Sequence, residues 1–265
     1  MLTLDMTRLA TLLCNARANG TQLTDLENAL YPASENEADA VQWLVAQARG
    51  PVTGYKVARV GDGPGAWGAI HARDILLAPE NLAVPARGLK FEVEVGFVLA
   101  KDLTKVPSPE GFSRAEVIDA LEGAFLGVEV LGARCVPELT TAHPLLARAD
   151  SLTNHAMLAD PRIMDPTPFL DEAPVEARLC IDGTALVNGF LPHPSGRGAL
   201  HPMIWLANAL AKAGRGLRKG DRVITGSFGG AHLAHAGQSL SAEIAGLGAL
   251  HWALTPVAQL QEETA

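Results

Sequence analysis

The sequence predicts an α+β protein, with a helical segment over residues 1–50 and a mostly β body over 51–265. Two periodicities carry this prediction. Before residue 50 the apolar side chains recur at spacings of three and four, the repeat of one helix face. Beyond Pro51 they alternate in short runs divided by Gly and Pro, as strands require.

In the first segment, Leu9, Leu12, Leu13 and Ala16 form one such stripe, and Val41, Leu44 and Val45 form another. Gly50 lies just past the second helix, and Pro51 prevents its continuation. Strand character follows in VTGYKVARV (52–60) and FEVEVGFVLA (91–100). GFSRAEVIDALEG (111–123) predicts a helix capped by Ser113 with Glu116 three residues on, and Phe112 and Val117 form a hydrophobic staple. AFLGVEVLGARC (124–135) returns to strand, and Asp182-Gly183 marks a two-residue hairpin turn. HPMIWLANALAKAG (201–214) predicts a helix with Pro202 in its first turn and Gly214 beyond its end. A turn and strand in RKGDRVITGSF (218–228) and the last strands in SLSAEIAGLGALHWAL (239–254) complete the body. Neither repeats nor a low-complexity linker interrupt it.

The 265 residues are 48% apolar and 19% charged, an ordinary globular balance that excludes wholesale disorder. Three widely spaced cysteines (Cys14, Cys135, Cys180) without a CxxC pair predict reduced thiols and a cytoplasmic protein. A net charge of −8 with no basic stripe argues against nucleic acid as a partner. No apolar run reaches the roughly 18 residues of a membrane span, and Asp5 and Arg8 interrupt the N-terminal apolar stretch, which predicts an amphipathic helix rather than a signal peptide.

The chemistry concentrates in KFEVEVGFVLAKDL (90–103). Glu92 and Glu94 alternate with Phe91, Val93 and Val95. Two residues apart on a strand, the carboxylates share one face roughly 7 Å from each other. Such a pair can simply solubilise a wet face. The same face continues with Gly96, Val98 and Ala100, however, which suits a pocket wall better. Glu129 stands among apolar residues and glycine in AFLGVEVLG. A buried carboxylate needs a partner, and two are open: an arginine such as Arg134, or a divalent cation shared with Glu92 and Glu94. Oxygen-only ligation suits Mg²⁺ or Mn²⁺. Lys56, in TGYKVARV, is flanked by apolar and aromatic residues, as a surface lysine or as a pocket lysine able to bind a carboxylate or move a proton.

Taken in order, GYKV (54–57), FEVEVGFVLAKDL (91–103), GVEVLGARC (127–135), ADSLTNHAML (149–158), HPMIWLANAL (201–210) and GDRVITGSF (220–228) resemble the blocks of 2-keto-4-pentenoate hydratases, in particular the branch acting on 2-oxohept-4-ene-1,7-dioate. These belong to the fumarylacetoacetate hydrolase superfamily, with 4-oxalocrotonate decarboxylases as sister enzymes. The resemblance spans roughly residues 50–250 and implies a mixed β-roll with flanking helices. It further implies Mg²⁺ or Mn²⁺ on Glu92, Glu94 and Glu129, with Lys56 in the active site. The implied reaction is addition of water to a 2-hydroxy-2,4-dienoate, giving a 4-hydroxy-2-oxo acid, in the degradation of aromatic compounds. A decarboxylase or C–C hydrolase would share the same machinery, and a non-catalytic partner protein could keep the fold. The family's homo-oligomers make the helical first 50 residues a candidate assembly arm.

One block departs from the family. Where GxLxDDM is common, this chain has WGAIHARDI (67–75), which places Ala72 and Arg73 at the paired aspartates. Asp74 and His71 are the acid–base candidates to replace them, Asp74 also being an ordinary turn residue. Asp150, Ser151 and Asn154 fall on the family's polar DNxxN stretch, with Ser151 replacing the first Asn, and are expected to bind substrate or shape a turn. Arg197, in the expected loop NGFLPHPSGRG (188–198), is a candidate for a second substrate carboxylate. His232 and His235 invite a zinc reading but lack a third ligand nearby, and the glycines around them predict a mobile loop.

Overall fold

The computed structural model describes residues 3–105 and 108–257. Two helices come first, α1 (Leu4–Ala18) and α2 (Glu35–Arg49). Thr3 and Ser34 cap them by accepting from the backbone N–H of Met6 and Glu37, and Gly50 at φ 103° ends the second. The body then runs β1 (Val52–Arg59), β2 (Gly65–His71), β3 (Ile75–Leu77), β4 (Asn81–Val84), β5 (Leu89–Leu99), α3 (Arg114–Asp119), β6 (Leu121–Leu131), α4 (Pro137–Ala142), α5 (Pro144–Ala149) and β7 (Asn154–Ala159). It closes with β8 (Val175–Ile181), β9 (Thr184–Leu191), α6 (Leu200–Lys212), β10 (Arg222–Ala234), β11 (Ser239–Ile244) and β12 (Gly248–Pro256).

The strands form two mixed sheets, so the α+β expectation holds. A seven-stranded sheet has the order β2-β1-β10-β5-β6-β7-β3, and a five-stranded sheet the order β4-β12-β11-β8-β9. Neither closes into a barrel. The main core lies between one face of the larger sheet, the smaller sheet and α6; Phe91 of β5 packs on Trp252 of β12 with ring centroids 5.9 Å apart. Local predictions survive where local chemistry dominates. The capping box of Ser113 and Glu116 is present, and Asp182 and Gly183 turn the β8–β9 hairpin with φ of 49° and 77°.

Three expectations are corrected. The helix predicted through Gly123 ends at Asp119, because β6 starts at Leu121 to pair with Leu99. The expected mobile loop around His232 belongs to β10, which stays paired with β5 through Ala234 by absorbing two register shifts. The expected loop of 188–198 likewise begins inside β9. The N-terminal helices pack on the body: Leu9, Leu13 and Val41 share a buried cluster with Cys135, Leu146 and Ala149. No described helix is long and apolar enough to cross a membrane.

Candidate active site

The site lies on the second face of the larger sheet. Alternation puts Phe91, Val93, Val95 and Phe97 into the main core and turns Glu92, Glu94, Gly96 and Val98 the other way. The far end of that face is filled by a small apolar cluster that includes Ile70, Val98, Phe125, Met157 and Ile224. Phe125 covers Gly96, where a Cβ would lie 2.3 Å from its ring. The carboxylates thus stand beside an apolar floor.

Antiparallel pairing of β5 with β6 sets Glu92 directly opposite Glu129. Each of Glu92, Glu94 and Glu129 offers an oxygen within 4.8 Å of the others, a group that could hold a metal ion. Glu94 and Glu129 are 2% and 1% exposed, so water screens their repulsion little. Burial, followed by the charge of Glu129, pushes the Glu92 carboxyl up to about 7. Burial and both neighbouring glutamates push Glu94 well above the usual carboxylate range, although the Gly226 N–H donates to its Oε2 at 2.6 Å.

Lys56 of β1 supplies the cation in contact with the triad, and the exposed Lys90 adds a weaker positive charge beside Glu92. Lys56 Nζ stands 2.7 Å from Glu129 Oε2 and donates to the Leu152 carbonyl at 3.2 Å. The first contact is an ion pair without hydrogen-bond alignment, which leaves Glu129 Oε2 a buried acceptor lacking an aligned donor. Glu129 Oε1 accepts from Asn154 Nδ2 at 2.8 Å. Three carboxylates against Lys56 and the exposed Lys90 leave excess negative charge, and the donor set is oxygen only. Both features fit a hard divalent cation.

The loop before β7 carries backbone strain. Ser151, Leu152 and Thr153 all have positive φ (51°, 51° and 63°), a left-handed run costing of order 1–3 kcal/mol for each residue. This run aims the Leu152 carbonyl at Lys56. It fits only because residue 68 is glycine, since a Cβ there would lie 2.3 Å from the Ser151 carbonyl oxygen.

The other expected residues are placed differently. Asp74 pairs with Arg17 at 2.9 Å and Arg49 at 3.0 Å, and His71 Nδ1 lies 3.1 Å from the Gly50 carbonyl. Neither contacts Lys56 or the glutamates by hydrogen bond or ion pair among the described residues. Asp150 is buried and held by Arg134, which donates its backbone N–H and Nε, so the arginine considered for Glu129 serves Asp150 instead. Arg197 sits on a half-exposed loop, paired with Asp62 at 2.6 Å. His232 Nε2 lies 3.1 Å from the Gly229 carbonyl, and no zinc-type cluster forms among the described residues. Sequence reasoning missed the Leu152 carbonyl, the Gly226 N–H and Arg17. The first two are backbone groups with no residue-type signature, and Arg17 reads as an ordinary helix-terminal cation.

Two mixed sheets with a buried carboxylate triad and lysine on one face define a class, and comparison with known proteins agrees. The chain belongs to the family described as fumarylacetoacetate (FAA) hydrolase C-terminal, whose model matches residues 63–254. Among relatives, it is 27% identical over 266 residues to 2-keto-4-pentenoate hydratase 2 of Dechloromonas aromatica strain RCB, covering 90% of this chain and 93% of that protein. It is 30% identical over 172 residues to the TodF product hydratase of Pseudomonas putida strain F1, covering 61% of this chain and 57% of that protein. The solved 4-oxalocrotonate decarboxylase of Pseudomonas putida G7, complexed with magnesium and adipate, superposes with a TM-score of 0.79 at 19% identity, covering 96% of this chain and 99% of that one. At that identity the likeness is one of fold.

Proposed function

We propose that this chain is a Mg²⁺- or Mn²⁺-dependent hydratase that adds water to a 2-hydroxy-2,4-dienoate to give a 4-hydroxy-2-oxo acid. One observation carries the reading: three carboxylate oxygens within 4.8 Å of one another, with Lys56 Nζ 2.7 Å from one of them. The hydratase names of the relatives support it. Glu92, Glu94 and Glu129 would hold the ion, which when bound supplies electrostatic stabilisation of charge on the substrate's carboxylate and 2-oxygen.

The chain's own groups supply the rest. Lys56 Nζ, steadied by Glu129 and the Leu152 carbonyl, is the group assigned to move the proton between the 2-hydroxyl and C5. Asn154 Nδ2 orients Glu129 from the side away from Lys56. The apolar floor of Ile70, Phe125 and Ile224 excludes water beneath the carboxylates.

A second reading, decarboxylation of a vinylogous β-keto acid, is favoured by the engagement of Asp74 and His71. With Asp74 held by two arginines and His71 against a carbonyl, neither is free to activate water. Loss of CO₂ requires no such base.

The test is loss of the dienol ultraviolet absorbance. It uses 2-hydroxypenta-2,4-dienoate and its longer dicarboxylate homologue, with Mg²⁺, with chelator, and with Glu129→Ala. Metal- and Glu129-dependent loss giving a 4-hydroxy-2-oxo acid is the expected result. CO₂ release from 4-oxalocrotonate with no hydration product replaces the first reading by the second. No turnover of these dienoates or of 4-oxalocrotonate despite Mg²⁺ binding overturns both.

A further inference from the structure

We propose that Arg17, from the N-terminal helix, is a positioning residue for the carboxylate triad, acting on Glu129 through Asn154. The proposal rests on the reading of Glu92, Glu94 and Glu129 as metal ligands.

Helix α1 is seated by Leu9, Ala10, Leu13 and Ala16 in the cluster it shares with Cys135, Leu146 and Ala149. That seating points Arg17, next to Ala16, at the start of β7. Its Nη1 donates to the Asn154 carbonyl at 3.0 Å and its Nη2 donates to the His155 carbonyl. The same Nη2 pairs with Asp74 Oδ2 at 2.9 Å, and Asp74 is braced in turn by Arg49 of α2. One planar guanidinium thus joins two successive carbonyls of β7 to a carboxylate fixed by the second helix.

Asn154 is the residue so gripped. It is 2% exposed, and its Nδ2 donates to Glu129 Oε1 at 2.8 Å. Immediately before it runs the strained left-handed segment Ser151–Thr153, whose Leu152 carbonyl receives Lys56 Nζ. Strain of this kind persists only where the surroundings over-determine the backbone. Arg134 holds the near side, donating to the carbonyls of Gly132, Asp150 and Asn154. Arg17 is the hold from outside the β body. Its loss frees the Asn154 carbonyl on that side and lets the amide that orients Glu129 turn.

Lysine is not an equivalent. Its ammonium is a single point charge and does not present the flat fork that reaches two carbonyls and a carboxylate together. A role limited to neutralising Asp74 would be met by lysine; the positioning role would not.

The experiment is Mn²⁺ binding to the full chain, followed by calorimetry and by the paramagnetic resonance of free Mn²⁺, with the melting temperature recorded for each variant. Arg17→Ala and Arg17→Lys are expected to weaken Mn²⁺ binding by about 10–100-fold, the usual effect of losing a group that orients a ligand. Asn154→Ala is expected to weaken it similarly, and Arg17→Ala is expected to add nothing in that background. Should Arg17→Ala not fold, Arg17→Lys carries the same test. Wild-type affinity in Arg17→Lys, or effects of Arg17 and Asn154 that multiply independently, would overturn the proposal. Failure of the wild-type chain to bind Mn²⁺ at millimolar concentration overturns the metal reading and this proposal with it. Binding that is indifferent to Arg17 overturns this proposal alone.

Discussion

Glu92 and Glu129 face each other in register across β5 and β6, two carboxylates at a position where like charges destabilise a sheet by up to about 1 kcal/mol. A pairing unfavourable to folding is set directly beside the pairing of Val93 with Val128, which is wholly apolar and buried. Glu92→Gln removes one of the facing charges. Above about pH 7, where Glu92 is charged, the metal-free protein should therefore melt higher, and the Mg²⁺-induced rise in melting temperature should shrink. Thermal scans of both proteins with Mg²⁺ and with chelator check both directions.

The metal-free protein should lose stability as pH rises. Glu92 has its folded-state acidity shifted up to about 7, and Glu94 is shifted in the same direction. The folded chain therefore binds more protons than the unfolded chain between the ordinary carboxylate range and about pH 7. Stability from this source is full below that window and is lost as pH climbs through it. A cation must displace those protons, so its affinity should fall by about tenfold per pH unit below 7 for each proton released. Mg²⁺ titrations at several pH values read the slope directly.

Lys56→Met leaves Glu129 buried without its counter-charge, and the metal-free protein should lose about 3–5 kcal/mol. Divalent metal should recover much of that loss while dienol turnover stays abolished. Denaturant curves with and without Mg²⁺, beside the ultraviolet assay, separate the two roles of the lysine.

Gly68→Ala places a methyl 2.3 Å from the Ser151 carbonyl oxygen, a backbone atom that cannot swing aside. Overpacking of this kind should cost about 1–3 kcal/mol. It should also move the Leu152 carbonyl off Lys56, so turnover should fall by more than the loss of folded protein explains. Turnover per folded molecule, after correction by denaturant titration, is the measurement.

Asp74→Asn tests whether this carboxylate moves protons. A general base contributes about 10²–10⁴-fold. With Asp74 committed to Arg17 and Arg49, the expected loss is below about tenfold with the shape of the pH–rate profile unchanged. A loss of about 10² or more with disappearance of the acidic limb of the pH–rate profile would assign it the role of general base.

Part of the candidate site's geometry was legible in the sequence. Glu92 and Glu94 share a face because strand side chains alternate with a period of two, a property of each strand alone. The cap at Ser113 and the turn at Asp182-Gly183 are likewise local, each settled by the conformations open to three or four adjacent residues. Lys56 and Glu129 stood out because a charge inside an apolar run must find a partner.

Which partner each charge finds was decided only by the tertiary structure. The register of β5 against β6 set Glu129 opposite Glu92, and the position of β1 beside β10 brought Lys56 to Glu129 while Arg134 turned to Asp150. Asp74, nearest in sequence to the missing acidic pair, was captured by arginines 57 and 25 positions earlier in the chain, Arg17 and Arg49. The Leu152 carbonyl and the Gly226 N–H carry no residue-type signature, because every residue of a chain except proline offers the same two backbone groups. Alternation along the chain tells which side chains of β1, β5 and β6 share a face and which charges stand among apolar neighbours. The meetings between those charges followed from strand pairing and helix docking, which depend on distances through space that no spacing along the chain encodes.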